Sequence, residues 1–270
     1  MIESLHSPHI ARVKALINSR GNKERSEHGE FIAEGLQCAS EAIASKDGPR
    51  IKHLYVTESG RSRLVDRGVE LHEVDVIDVS EPVMAAMSST ITPQGIVAIC
   101  ELSSKSFAEL KTNGKSRFIY LHEIQDPGNA GTILRTADAM GIDAVIASSG
   151  SVDMYSPKVV RATAGSLWHV PLFTGITFEQ LVSQFPETTK IALSARGEIS
   201  LPDLDIQGDC IAIFGNEARG IDAVLSKDVL HVSIPMEGSA ESLNLSAAAS
   251  IVMYTLSKSV NLPHSIKTTH

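Results

Sequence analysis

The feature that most narrows the fold of this chain is the rhythm beginning at Phe118. Five short apolar runs occupy 118–122, 144–147, 191–195, 210–214 and 229–234. Stretches with helical periodicity lie between or after them, at 131–140, 157–164, 178–185 and 245–254. Strands apolar along their whole length, rather than at alternate residues, are buried on both faces. Their alternation with helices predicts an α/β fold, a mostly parallel sheet covered by helices. In such a sheet, ligands gather at the carboxyl ends of the strands, so the segment after each run is where chemistry is expected.

The first 105 residues have a different pattern. A helix is predicted from the spacing of Ile10, Val13, Leu16 and Ile17, followed by a polar stretch over 18–25. A second helical pattern covers 31–44. Strand-like runs follow at 51–57, 71–76 and 95–102, with a short helix at 83–87. The sum is a smaller N-terminal α/β domain over 1–105, a linker over 106–116 marked by Asn113-Gly114, and a larger domain over 117–270. The last helix is rich in small apolar residues (Ala247, Ala248, Ala249, Ile251, Val252), which predicts burial nearly all round, under the sheet or in a subunit interface. There is no internal repeat.

Charge is distributed unevenly. The formal net charge is −8, but residues 1–63 carry a balance of +2 and residues 64–110 one of −6. An anionic polymer would therefore be steered first to the N-terminal quarter, where Arg20, Lys23 and Arg25 form the most basic short segment and are candidates for phosphate contacts. The three cysteines, Cys38, Cys100 and Cys210, are too widely spaced for a zinc knuckle or a disulfide scaffold and suit a reducing compartment. Charged residues among the first thirty (Glu3, Arg12, Lys14, Arg20) do not form a signal peptide, and no apolar stretch has the length of a membrane span. A soluble, cytoplasmic protein is expected.

Three loops stand out. After 118–122 comes Glu123-Ile124-Gln125-Asp126-Pro127-Gly128-Asn129-Ala130-Gly131, leading to Arg135 inside the next helix. Pro127-Gly128 makes a turn, Asn129 is a suitable helix cap and Gly131 permits close approach; alone, the segment reads equally as a capped helix with a solvated arginine. After 210–214 comes Gly215-Asn216-Glu217-Ala218-Arg219-Gly220, which places a carboxylate at a strand end between glycines. After 229–234 comes a polar segment through Ser242-Leu243-Asn244-Leu245-Ser246, in which Ser242 and Asn244 are each suitable N-caps. Familiar alternatives are missing: no G-x-G-x-x-G, no G-x-x-x-x-G-K-[ST], no G-x-S-x-G, and no second histidine to complete a zincin after His122-Glu123. No metal site and no nucleophilic hydrolase is predicted.

Together, the three loops resemble the signature of the SpoU/TrmH family of RNA ribose 2′-O-methyltransferases. Asn129-Ala130-Gly131 with Arg135-Thr136-Ala137 is similar to its first motif, Gly215-Asn216-Glu217 with Gly220 to its second, and Ile234-Pro235-Met236 with Ser242-Leu243-Asn244-Leu245-Ser246 to its third. Phe31-Ile32-Ala33-Glu34-Gly35 with Glu41-Ala42 resembles that family's substrate-binding domain. The resemblance implies a deep trefoil knot in the C-terminal domain, a homodimer, and S-adenosylmethionine as methyl donor with no metal. It assigns Arg135, Asn129, Glu217, Ser242 and Asn244 to catalysis. Leu193, Ser194, Gly215, Asn216, Ile234, Met236 and Leu243 are assigned to the cofactor. Arg161 is similar to an arginine that some rRNA-modifying relatives use near the target nucleotide. Arg135 is expected to act by positioning and charge stabilisation, because arginine stays protonated. With aromatics at 4% of the chain, recognition of a folded RNA by shape and backbone is expected. The two-domain layout resembles enzymes of large-subunit rRNA, including the thiostrepton-resistance type. The alternatives are a tRNA ribose methyltransferase and a non-catalytic RNA-binding factor.

Overall fold

The computed structural model describes residues 1–18, 21–194, 197–216 and 229–261. It divides into two compact units, neither continuous in sequence. The first comprises Met1–Lys105, Asp126–Arg135 and Val152–Leu172; the second comprises Ser106–Gln125, Thr136–Ser151 and Phe173–His270.

The first unit holds helices α1 (Pro8–Ile17) and α2 (Asn22–His28), strand β1 (Glu30–Glu34), α3 (Leu36–Ala44), β2 (Ile51–Val56), α4 (Glu58–Asp66), β3 (Val76–Asp78), α5 (Glu81–Met87) and β4 (Ile96–Glu101). The four strands form one sheet in the order β1-β4-β2-β3, with β4 antiparallel to both neighbours. Ile10, Val13 and Leu16 of α1 pack on Ile32, Tyr55, Met84 and Val97, as the helical spacing predicts.

The pattern over 31–44 does not form one helix. Residues 30–34 form β1, entirely buried, with Phe31, Ile32 and Ala33 opposite Cys100, Ile99 and Ala98. Gly35, at φ 95°, then turns the chain into α3. A run of apolar residues satisfies either period, and ladder pairing with β4 decided between them. The expected strand over 71–76 shifts to Val76–Asp78, which pairs with β2. Helix α4 escaped the sequence reading because its buried face is only Gly60 and Leu64.

The second unit contains a seven-stranded sheet in the order β7-β6-β5-β10-β8-β11-β9. Its strands are β5 (Arg117–Leu121), β6 (Ala144–Ala147), β7 (Leu172–Thr174), β8 (Thr189–Leu193), β9 (Ile199–Ser200), β10 (Cys210–Phe214) and β11 (Leu230–Ser233). From β6 across to β9 every pairing is parallel. The five predicted runs are its five inner strands. The two that the sequence did not reveal, β7 and β9, are the short outermost ones, where little apolar sequence is needed. The remaining helices are α6 (Pro127–Ala139), α7 (Pro157–Ala162), α8 (Phe178–Gln184) and α9 (Leu245–Asn261). Residues 106–116 are not a bare spacer. A capped 3-10 turn at Phe107–Glu109 inserts Phe107 against Phe173 and Phe185, at ring separations of 5.7 and 5.9 Å.

Within the single chain, helix α9 is buried on one face. Ala249, Val252, Met253 and Leu256 are covered, while Ile251 and Tyr254 are 40% and 54% exposed. Among the described residues, no helix is long and apolar enough to cross a membrane.

Candidate active site

Because β5, β10, β8 and β11 are adjacent and parallel, the segments that follow them emerge along one edge of the sheet. Leu193 ends β8 and Ser194 follows it, Gly215 and Asn216 follow β10, and Ile234 and Met236 follow β11. Leu243 lies just before α9. The Ser194 N–H donates to the Val232 carbonyl at 2.9 Å, which carries the β8–β11 ladder to the sheet edge. The Asn216 side chain, buried, donates through Nδ2 to the Glu123 carbonyl at 2.9 Å. The His122 N–H donates to the Phe214 carbonyl at 2.8 Å. The ends of β10 and β5 are thus joined by side chain and backbone.

Glu123 has φ 54°, a left-handed backbone that a residue with a Cβ adopts only when its surroundings hold it there. Its carbonyl accepts from both Asn216 and the Gln125 amide (3.0 Å), and Gln125 also donates to the Gly150 carbonyl at 2.8 Å. The Ser148 and Ser151 hydroxyls accept the N–H groups of Glu123 and Ile124 at 2.9 and 3.2 Å. Sequence reasoning missed Glu123, Gln125, Ser148 and Ser151. No local pattern marks them, because the strained backbone they support appears only in the tertiary structure.

Two apolar side chains of the segment between β11 and α9 stand open: Met236 is 39% exposed and Leu243 38% exposed. Apolar walls beside backbone donors and acceptors are what a purine nucleoside requires, so the residues present fit the adenosyl part of S-adenosylmethionine. Among the described residues, no group of three His, Cys, Asp or Glu could hold a metal ion. Burial raises the Cys38 thiol to about 11 and Cys210 to about 12, and it pushes Cys100 up as well. None of the three is a thiolate nucleophile near neutral pH.

Asp126 caps α6, its Oδ1 accepting the Asn129 N–H at 2.8 Å, with Pro127 opening the helix. Asn129 therefore belongs to the first turn rather than to the cap. Arg135, six residues further along, is exposed and makes no hydrogen bond or ion pair with any described residue. The close approach predicted for Gly131 is made to α7: a Cβ there would lie 2.4 Å from the Cβ of Ala162. Asn244 caps α9, its Oδ1 accepting from the Ser246 N–H at 2.9 Å, the Ser246 hydroxyl at 2.6 Å and the Ala247 N–H at 3.3 Å. Ser242 is exposed in the irregular segment before α9. Glu217 and Arg20 lie outside the described residues.

The basic candidates have diverged. Lys23 is solvent-exposed and pairs with Glu27 at 3.6 Å, one helical turn on. Arg25 is 3% exposed: its Nε and Nη2 donate to Asp153 at 2.7 and 2.6 Å, and its Nη1 donates to the Leu16 carbonyl. That placement gives Arg25 a structural task and takes it out of the set of phosphate contacts. Arg161 is half-buried, its Nη1 bonded to Ser89 and 3.3 Å from Glu34.

A mostly parallel α/β sheet whose carboxyl edge carries backbone donors and acceptors, with open apolar side chains in the segment after β11, suits a bound small molecule that bears a nucleoside. The comparisons with known proteins specify which. The model of the SpoU rRNA methylase family matches residues 116–254, and that of the MRM3-like substrate binding domain matches residues 8–98. The chain is 31% identical to the 23S rRNA (guanosine(2553)-2′-O)-methyltransferase RlmP of Bacillus subtilis, over 94% of this chain and 99% of that protein. It is 26% identical to the 23S rRNA (uridine(2479)-2′-O)-methyltransferase of Streptomyces viridochromogenes, over 89% and 86%. The crystal structure of an AdoMet-bound rRNA methyltransferase from Sinorhizobium meliloti superposes with a TM-score of 0.83 at 27% identity, covering 97% of this chain and 98% of that one. The chain belongs to the SpoU rRNA methylase family: it is a methyltransferase whose methyl donor is S-adenosylmethionine.

Proposed function

We propose that this protein methylates a ribose 2′-hydroxyl in large-subunit ribosomal RNA. The observation that carries the reading is the conjunction of two matched regions, a methylase domain and an MRM3-like substrate binding domain, in one chain similar nearly end to end to 23S rRNA 2′-O-methyltransferases. We assign the RNA-binding task to 1–105 and the methyl-transfer task to 117–270, with 106–116 between them. The knot implied by the family resemblance is assigned to the C-terminal domain. A cytoplasmic location goes with a ribosomal substrate.

The residues divide the work as follows. Backbone and side-chain groups of Leu193, Ser194, Gly215, Asn216, Ile234, Met236 and Leu243 would hold the cofactor, which supplies an already activated methyl group and so needs no metal. A 2′-hydroxyl is a poor nucleophile, and its reactivity depends on orientation and on charge beside the oxygen. Arg135 supplies both, through a planar fork that takes a phosphate beside the target ribose and is not otherwise spent. Asn129 holds Arg135 or the ribose, and Glu217, Ser242 and Asn244 complete the polar surroundings. Lys23, Arg20 and Arg161 contribute charge for the RNA. A homodimer through the C-terminal domain is supported by the open apolar side of α9, where Ile251 and Tyr254 are uncovered.

The test is transfer of tritiated methyl from S-adenosylmethionine to deproteinised large-subunit rRNA and, separately, to bulk tRNA. Alkali-resistant label in the rRNA pool, absent with Arg135→Ala, is the expected result. Label confined to tRNA overturns the substrate. Cofactor binding with no label in either pool or in a ribosomal particle overturns the activity.

A further inference from the structure

The first unit contains a cavity of about 350 Å³ between the start of α3, the loop over 88–94 and the end of α7. Its lining includes Glu34, Gln37, Thr92, Gln94 and Arg161. Glu34, buried at the end of β1, has both oxygens occupied. Oε1 accepts from the Ser88 hydroxyl and from the Thr90 hydroxyl at 2.7 Å. Oε2 accepts from the Ser89 N–H at 3.1 Å, from the Ser89 hydroxyl at 2.6 Å and from Arg161. Its charge is therefore spent inside the wall, and it offers a ligand no acceptor.

Of the remaining lining groups, the Gln37 amide donates to Glu41, and Arg161 and Gln94 are the ones that present donors. Arg161 commits only Nη1, leaving Nη2 and Nε for a ligand. The Gln94 amide is fixed in orientation, because its Oε1 accepts the Leu36 N–H at 2.7 Å; its NH2 is the end presented. The Gln37 oxygen is taken by Arg67, and the Gln94 carbonyl by Arg63 at 2.9 Å, which places two more guanidinium groups behind the glutamines. Ile91, between the lining residues Thr90 and Thr92, is fully exposed, an uncovered apolar side chain beside a polar cavity. With the Arg63 and Arg67 guanidinium groups behind it and Ile91 beside it, the place suits an anionic ligand rich in acceptors that has an apolar face.

We propose that the cavity receives one unpaired nucleotide of the RNA, its acceptor atoms meeting Arg161 and the Gln94 amide while Ile91 contacts a base or sugar. The proposal rests on the RNA reading above and adds Gln94, Thr92 and Ile91 to its recognition surface. A bulged nucleotide of a folded RNA has its edges free for such contacts, whereas a paired base does not.

The test measures retention of deproteinised large-subunit rRNA by wild type, Gln94→Glu and Lys23→Glu, with cofactor affinity alongside. Gln94→Glu keeps the acceptor for Leu36 and replaces the presented NH2 by a carboxylate oxygen. It is expected to weaken RNA binding about tenfold, and to raise the KM for RNA with kcat and cofactor affinity unchanged. Lys23→Glu, away from the cavity, should act less. Wild-type retention that Gln94→Glu leaves intact overturns the cavity proposal alone. No retention by wild type, with cofactor bound, overturns the RNA reading and the cavity proposal with it.

Discussion

Buried charge meets different groups in the two units. In the first, buried charges meet side chains of opposite sign, often from far along the chain: Arg25 with Asp153, Glu34 with Arg161, and Glu30 with Arg12 and Lys52, both at 2.6 Å. In the second, the buried cations Arg117 and Lys190 lie against main-chain carbonyls. Arg117 donates to Lys115 at 3.2 Å, Ser116 at 3.1 Å and Gly208; Lys190 donates to Phe185 and Thr188, both at 2.9 Å. The difference is one of purpose. Carbonyl-held cations close off the amino-terminal ends of β5 and β8 using mostly local chain. Two of the ion pairs in the first unit, Arg25–Asp153 and Arg161–Glu34, join segments more than a hundred residues apart and tie 152–172 to the rest of that unit. Arg135, which is exposed, belongs to neither arrangement.

The largest expected effect separates Arg135 from the structural cations. Arg135→Ala should lower methyl transfer by about a hundredfold or more while leaving the melting temperature unchanged, read by initial rates and calorimetry. If the melting temperature falls as far as it does for Arg25→Ala, the distinction collapses. Arg25→Ala leaves Asp153 charged and half-enclosed, and should cost about 3 kcal/mol in urea unfolding.

Glu34→Gln comes next, at about 2 kcal/mol, and its signature is pH. Burial alone would raise the Glu34 carboxyl, but hydrogen bonds from Ser88, Ser89 and Thr90 outweigh it and hold the group below the ordinary carboxylate range. Glu30 is lowered in the same sense, burial being outweighed by Lys52 and Arg12. A depressed native value means that the stabilisation is complete above the unfolded pKa, about 4.3, and is lost as pH falls through the native one. Wild type should therefore lose stability steeply below about pH 4, and Glu34→Gln less steeply, in unfolding curves collected across that range. The smallest effect is expected in the second unit. Lys190→Met exchanges a buried ammonium for an apolar chain of similar length and should change stability by about 1 kcal/mol or less. A loss as large as that of Arg25→Ala would show that carbonyl-held and carboxylate-held cations are equivalent after all.

Much of the second unit was readable in advance because its signals are local. The runs at 144–147 and 210–214 coincide with β6 and β10, and α8 and α9 fall on the predicted periodicities. The motif loops lie at strand ends, as a parallel sheet requires. Less was readable in the first unit. Residues 31–34 satisfy a helical period and a buried strand equally, and the ladder with Cys100, Ile99 and Ala98 chose the strand. Asn129 and Asp126 are both good caps on paper; the geometry uses Asp126.

Apolar periodicity, turn residues and motif spacing are properties of neighbours in the chain, so the parallel sheet, its covering helices and the loops that carry the chemistry were set out in the sequence. The fate of each arginine was not. Arg25, Arg135 and Arg161 look alike in sequence, yet one is buried against Asp153, one is exposed and one is half-held by Glu34. A guanidinium is spent or available according to which carboxylate reaches it. For Arg25 and Arg161 that carboxylate comes from a segment 128 and 127 residues away, a distance only the folded chain closes.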